Sequence, residues 1–162
     1  ANGKRSSICS IGVAIIEDNK VIDSVYMLVR PYPNFYTRFT TAIHGITMQD
    51  TIDSPDLRSL DQDSRQIADI PLVAHNSSFD EGCLRAAHEA YDLAIPTNQF
   101  IAPAVCRGAC ILSWLNHQLQ TVCRSLRIRS DLSSPCNADA YACAHIAATM
   151  MREKGVERLC DL

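Results

Sequence analysis

Two β-rich runs, Ile8 to Ile16 and Val21 to Val29, open the apolar pattern of the chain, with only the polar tetrad Glu17-Asp-Asn-Lys20 between them. A polar break that short between two β-branched runs predicts a hairpin, and hence an antiparallel pair. Pro31 and Pro33 end the second run, because proline cannot donate to a ladder. Phe39 to Thr47 suits a short helical or turn segment whose regularity Gly45 breaks. Leu57, Leu60, Ile67 and Ala68 then fit a helix leading into Leu72-Val73-Ala74, a short apolar run of the kind a strand covered on both faces shows. Asn76 ends that run, and Ser78-Phe-Asp-Glu81 reads as a capping box with Ser78 as N-cap and Glu81 at N3. Phe79, Cys83, Leu84, Ala87 and Tyr91 follow at helical spacing. Phe100 to Val105 is a weaker strand interrupted by Pro103, and helices are expected at about 105–114, 117–126 and 138–154. In the last of these Asn137 suits the N-cap, with Ala140, Cys143, Ala144, Ala147, Met150 and Met151 as one apolar stripe. There is no internal repeat and no low-complexity linker, and the alternation of strands and helices predicts an α/β fold.

Composition narrows the picture. At 162 residues and 47% hydrophobic, the chain suits one domain spanning 1–162 and is short for two ordinary ones. The net charge of −3 gives no global basic footprint. Any nucleic-acid binding must use a local patch such as Arg124, Arg127 and Arg129 with Lys4 and Arg5, although a solvated helix face explains those arginines equally well. No apolar run approaches membrane-spanning length and no charged-then-apolar leader opens the chain, so a cytoplasmic protein without a membrane partner is the expectation. The eight cysteines include no Cys-x-x-Cys pair. Cys9, Cys83, Cys123 and Cys143 fall on apolar faces, where a reduced thiol behaves as a small hydrophobe. Cys106 and Cys110 lie four apart on an expected helix, but no histidine sits at ligand spacing from them.

Two carboxylates carry the candidate chemistry. Asp80 lies where a buried strand hands over to a helix, the place where open α/β sheets put their ligands. An acid in a first helical turn also complements the macrodipole with no further role, and both readings stand. Asp139 repeats the arrangement near the other end of the chain. Ala138, Ala140 and Ala142 around it let the helix pack closely on a sheet, which turns Asp139 toward the strand ends. Two such carboxylates could help hold divalent metal for phosphoryl chemistry, since Mg²⁺ takes oxygen ligands and keeps several waters.

Leu72-Val-Ala-His-Asn-Ser-Ser-Phe-Asp80, Ala42-Ile-His-Gly-Ile-Thr47 and Asp139-Ala-Tyr-Ala-Cys-Ala144 resemble, in order and over nearly the whole chain, the DEDDh 3′–5′ exonucleases. The similarity is to their bacterial proofreading-subunit branch, DnaQ-like or DNA polymerase III epsilon-like. The resemblance implies a ribonuclease H-like fold, a mixed β-sheet flanked by helices. It also implies two-metal hydrolysis of nucleotides from single-stranded DNA or RNA 3′ ends, with Mg²⁺ or Mn²⁺ as cofactor and a DNA polymerase as a partner class. Asp80 and Asp139 would be the metal-binding and catalytic carboxylates, converging on one site. His44, Asn76 and Phe79 would lie against the substrate strand.

The departures are specific. The family's first motif, Asp-x-Glu on the first strand, would fall ahead of Ala1, so a strand preceding Ala1 is expected. The family's general-base histidine stands five residues before the last aspartate, where this sequence has Ser134, or Cys136 in a gapped match. Neither replaces a histidine base. The short spacing leads to the expectation that residues are missing between Arg129 and Asp139. If the base and both acids are truly absent, the alternative is an inactive exonuclease-fold module binding nucleic acid or a polymerase. An unrelated α/β binding protein would require three coincident motifs.

Other residues have competing readings. His44 is either a substrate contact or a loop histidine bonding local backbone. His75, at a strand end, suits a structural hydrogen bond better than catalysis. His145 follows Asp139 on the helix body, so the family's base is not carried onto it. Phe79 suits base stacking, with core packing at least as well supported, and Trp114 suits the core or an anchor between helices.

Overall fold

Asp18 and Asn19 both adopt positive φ, 48° and 59°, the backbone of a two-residue type I′ turn. That turn joins β1, Ser10–Glu17, to β2, Lys20–Leu28, and a two-residue connection leaves the pair only the antiparallel sense. The structure, a computed structural model, describes residues 1–64, 70–102 and 135–161. The expected helices at 105–114 and 117–126, the arginines 124, 127 and 129, Trp114, Ser134 and the segment 129–134 lie outside the described residues, as does the side chain of Cys136. Contacts divide the chain into two compact units: residues 1–11, 26–70 and 78–99, and residues 12–25, 71–77 and 100–162.

In the first unit, Val29 donates its N–H to the Cys9 carbonyl at 2.9 Å. Buried Cys9 and Ile46 pack with Leu28 and Tyr36. Helix α1, Arg38–His44, is capped by Thr37, whose Oγ1 accepts from the Thr40 N–H at 3.2 Å. It ends at Gly45 in the left-handed region, φ 75°, which only glycine adopts without a Cβ penalty. The one-turn helix α2, Met48–Thr51, follows; Asp50 Oδ2 accepts from the Thr47 N–H at 2.7 Å. Fully buried Thr51 meets the Tyr36 hydroxyl at 2.9 Å, and burial pushes that phenol up to about 12. Helix α3 spans Leu57–Ser64.

In the second unit, β3, Leu72–Val73, pairs in parallel with β4, Phe100–Ile101, Leu72 facing Phe100 and Val73 facing Ile101. The Ala74 N–H extends the pair to the Ile101 carbonyl at 3.1 Å. The strands thus pair in both senses, as a mixed α/β fold does, and among the described residues no strand belongs to both pairs. Helix α5, Pro135–Lys154, packs on β3. It buries Ala142, Cys143, Ala144, Ile146, Ala147, Ala148, Met150 and Met151, which is more than one stripe. A helix lined by alanines has little polar face to expose and is enclosed on most sides. At its far end Arg152 donates from Nη1 to the Asn19 carbonyl at 2.7 Å, and Asn19 Nδ2 donates to the Val156 carbonyl at 3.3 Å, fixing the hairpin tip to the helix terminus.

Two helix starts differ from the sequence reading. Helix α4 spans Ser77–Ala90, so Asn76 takes the position before the helix, Ser78 falls inside the first turn, and Glu81 engages Arg85 at 3.4 Å. Helix α5 begins at Pro135 and not beyond Asn137. Proline suits the first helical position because its missing N–H is one the helix leaves unpaired anyway.

Candidate functional site

Strand β3 runs into a turn at His75 and Asn76 before α4 begins. His75 is half-buried and Asn76 exposed. In the same unit, α5 lies against β3. Asp139 is exposed at its rim, yet the protein around it withdraws enough water to push its carboxyl above the ordinary aspartate range, against a smaller downward pull from His75. Asp139 thus lies within electrostatic reach of His75, at the end of β3. With α5 starting at Pro135, Asp139 is its fifth residue and no longer a first-turn acid. The macrodipole does not explain it. His145, one turn and a half further on, meets the Tyr141 ring at a 59° tilt with centroids 4.3 Å apart, and burial lowers its pKa.

Asp80 does sit in the first turn of α4 and is exposed. Its neighbour Phe79 is 51% exposed, so the core-packing reading of Phe79 falls away. The ring carries a cation: the Arg5 guanidinium carbon lies 5.8 Å from its centroid. Cys83, one turn on, is half-buried. Burial and the Asp80 charge raise its thiol pKa while Arg5 lowers it, so both charges reach Cys83.

His44 is half-buried at the end of α1. Its Nδ1 accepts the Ile46 N–H at 3.0 Å, and its Nε2 lies 4.0 Å from Cys9 Sγ. An accepting Nδ1 carries no proton, which places the neutral ring's hydrogen on Nε2. Burial lowers the His44 pKa and favours that neutral form. The local-backbone role is thus filled, with the Tyr36 ring at 6.3 Å on one side.

His44, Phe79 and Asp80 belong to the first unit, and Asn76 and Asp139 to the second. Aspartate carboxylates are the oxygen donors that Mg²⁺ and Mn²⁺ take, so Asp80 and Asp139 fit such an ion in kind. Among the described residues, no three His, Cys, Asp or Glu side chains gather as a metal-holding group. Cys9, Cys83, Cys143 and Cys160 are reduced and outside any disulfide, and Cys160 is exposed. The residue that sequence reasoning undervalued is Arg5, noted only as one cation of a patch.

Among solved structures, the nuclease domain of 3′hExo, a DEDDh family member, bound to rAMP, matches with a TM-score of 0.77 at 17% identity, covering 94% of this chain and 84% of that one. The chain has the ribonuclease H-like fold of the DEDDh 3′-exonucleases. Exonuclease X in complex with 5′ overhanging duplex DNA matches over 98% of the chain and 92% of its own, with a TM-score of 0.69 and 21% identity. Among curated sequences, DNA polymerase III PolC-type from Bacillus subtilis (strain 168) is 26% identical over 156 residues, 93% of this chain. The chain spans 11% of the length of that relative. No protein-family model matches. No helix among the described residues is long and apolar enough to cross a membrane.

Proposed function

We propose that the chain acts as a metal-dependent 3′–5′ exonuclease domain on single-stranded DNA or RNA ends. The observation that carries this reading is the fold shared with a DEDDh-family nuclease domain over 94% of the chain, and it is supported by the electrostatic reach of His75, at the end of β3, to the Asp139 carboxyl. In this reading Asp80 and Asp139 together hold divalent metal, Mg²⁺ or Mn²⁺, which supplies charge stabilisation at the cleaved phosphodiester. Asn76 and Phe79, both exposed, bind the terminal nucleotides, Phe79 by stacking. His44, its Nδ1 already committed to Ile46, would add a further substrate contact. The likeness to a PolC-type polymerase supports a DNA polymerase as partner.

A second reading, an exonuclease-fold module that binds 3′ ends without cleaving them, draws support from one observation. Neither Ser134 nor Cys136, where the family's base would stand, is a histidine. A 5′-labelled single strand incubated with the protein and Mg²⁺ or Mn²⁺ separates the two. Stepwise shortening from the 3′ end supports the exonuclease; binding in chelator with no shortening in metal supports the module.

A further inference from the structure

Arg5 reaches Phe79 through a gap in α4. Phe79 and Gly82 are three residues apart and so share one helix face. A Cβ on Gly82 would collide with Arg5 Nη1 and stand 3.2 Å from its Cζ. A glycine inside a helix costs roughly 0.5–1 kcal/mol relative to alanine; here its missing side chain is what admits the guanidinium. Arg5 is exposed, Phe79 is half-exposed, and Asp80 follows directly in sequence. A ring contact holds a guanidinium in place without consuming its N–H donors. With a net charge of −3 on the chain, attraction for a polyanion must come from local cations of this kind.

We infer that Arg5 is a nucleic-acid-binding residue, seated on Phe79 through the space at Gly82, and that it takes a backbone phosphate of the single strand whose end lies at Asp80. This rests on the proposed 3′-end reading and adds a phosphate contact to it. A guanidinium pairs with phosphate through two parallel N–H bonds, and the adjacent aromatic face suits the base of the same strand. Phosphate and base of one nucleotide would then be met by Arg5 and Phe79 side by side.

Fluorescence anisotropy with a 5′-labelled single-stranded oligonucleotide, in chelator so that nothing is cleaved, tests it. R5A is expected to weaken binding about tenfold and to lower the salt slope by about one. G82A keeps the arginine but forces the end of its flexible side chain to shift from its present seat. It should weaken binding, by less than R5A does, while melting no lower than the parent, since alanine favours the helix. R5K should fall between, because an ammonium keeps charge without the bidentate geometry. R85A, removing a cation paired with Glu81, should bind as the parent does. Parent binding with R5A and G82A unchanged in affinity and salt slope would overturn this inference alone. A parent that binds no single strand would overturn it together with the 3′-end reading.

Discussion

His75, at the end of β3, draws the Asp139 carboxyl on α5 toward ionisation, while burial opposes it more strongly and leaves its pKa raised. The folded protein therefore prefers the protonated acid. Stability from that preference is fully present below the ordinary aspartate pKa, about 4, and is lost as pH rises through the raised value. Asp139→Asn, which is neutral at every pH, should melt at or slightly above the parent at pH 7, by no more than about 0.5 kcal/mol for an exposed group. The difference should vanish toward pH 4. Thermal unfolding of both proteins across pH 4–7 measures this, and a variant clearly less stable at pH 7 would show that the carboxylate makes a structural bond.

His44 supplies the acceptor for the Ile46 N–H, and Ile46 is buried. Its lowered pKa means that the neutral ring stabilises the fold above the ordinary histidine pKa, about 6.5, and that this stability is lost as pH falls through the lowered value. His44→Ala should cost about 1 kcal/mol by leaving that donor unmet. His44→Asn, whose Oδ1 can take over from Nδ1, should recover part of it and flatten the stability change between pH 7.5 and 5. Denaturant melts at the two pH values decide the matter.

Asn19 adopts φ 59° at the hairpin tip and bonds the Val156 carbonyl. Asn19→Gly keeps the turn and loses one hydrogen bond, and should cost under about 1 kcal/mol. Asn19→Val places a β-branched residue in the left-handed region and should cost upward of about 2 kcal/mol. Arg152→Ala should resemble the glycine variant, because it frees the Asn19 carbonyl without straining the turn. Equal melting of the glycine and valine variants would contradict the turn assignment.

Local chemistry made part of this fold legible. Asp18-Asn19 announced the hairpin, and Leu72-Val73 followed by Asn76 announced the strand-to-helix junction that holds Asp80. The start of α5 was misread because Asn137 is a good cap, whereas Pro135 two residues earlier is a better first helical residue. Helix α2 was missed although Thr47-x-x-Asp50 carries a capping signal, since one turn leaves no periodicity to detect. The Arg5–Phe79 contact had no signature at all. It depends on residues far apart in sequence and on a side chain that Gly82 lacks.

The most direct test of the account is 3′-nucleotide release from a 5′-labelled single strand in Mg²⁺ or Mn²⁺, comparing the parent with Asp80→Asn and Asp139→Asn. If the two carboxylates serve one metal-dependent reaction, the parent shortens the strand stepwise from its 3′ end. Each variant then falls by about a hundredfold or more, the double variant falls little further because the residues act as a unit, and chelator abolishes release. Release that survives both substitutions undiminished would contradict the account.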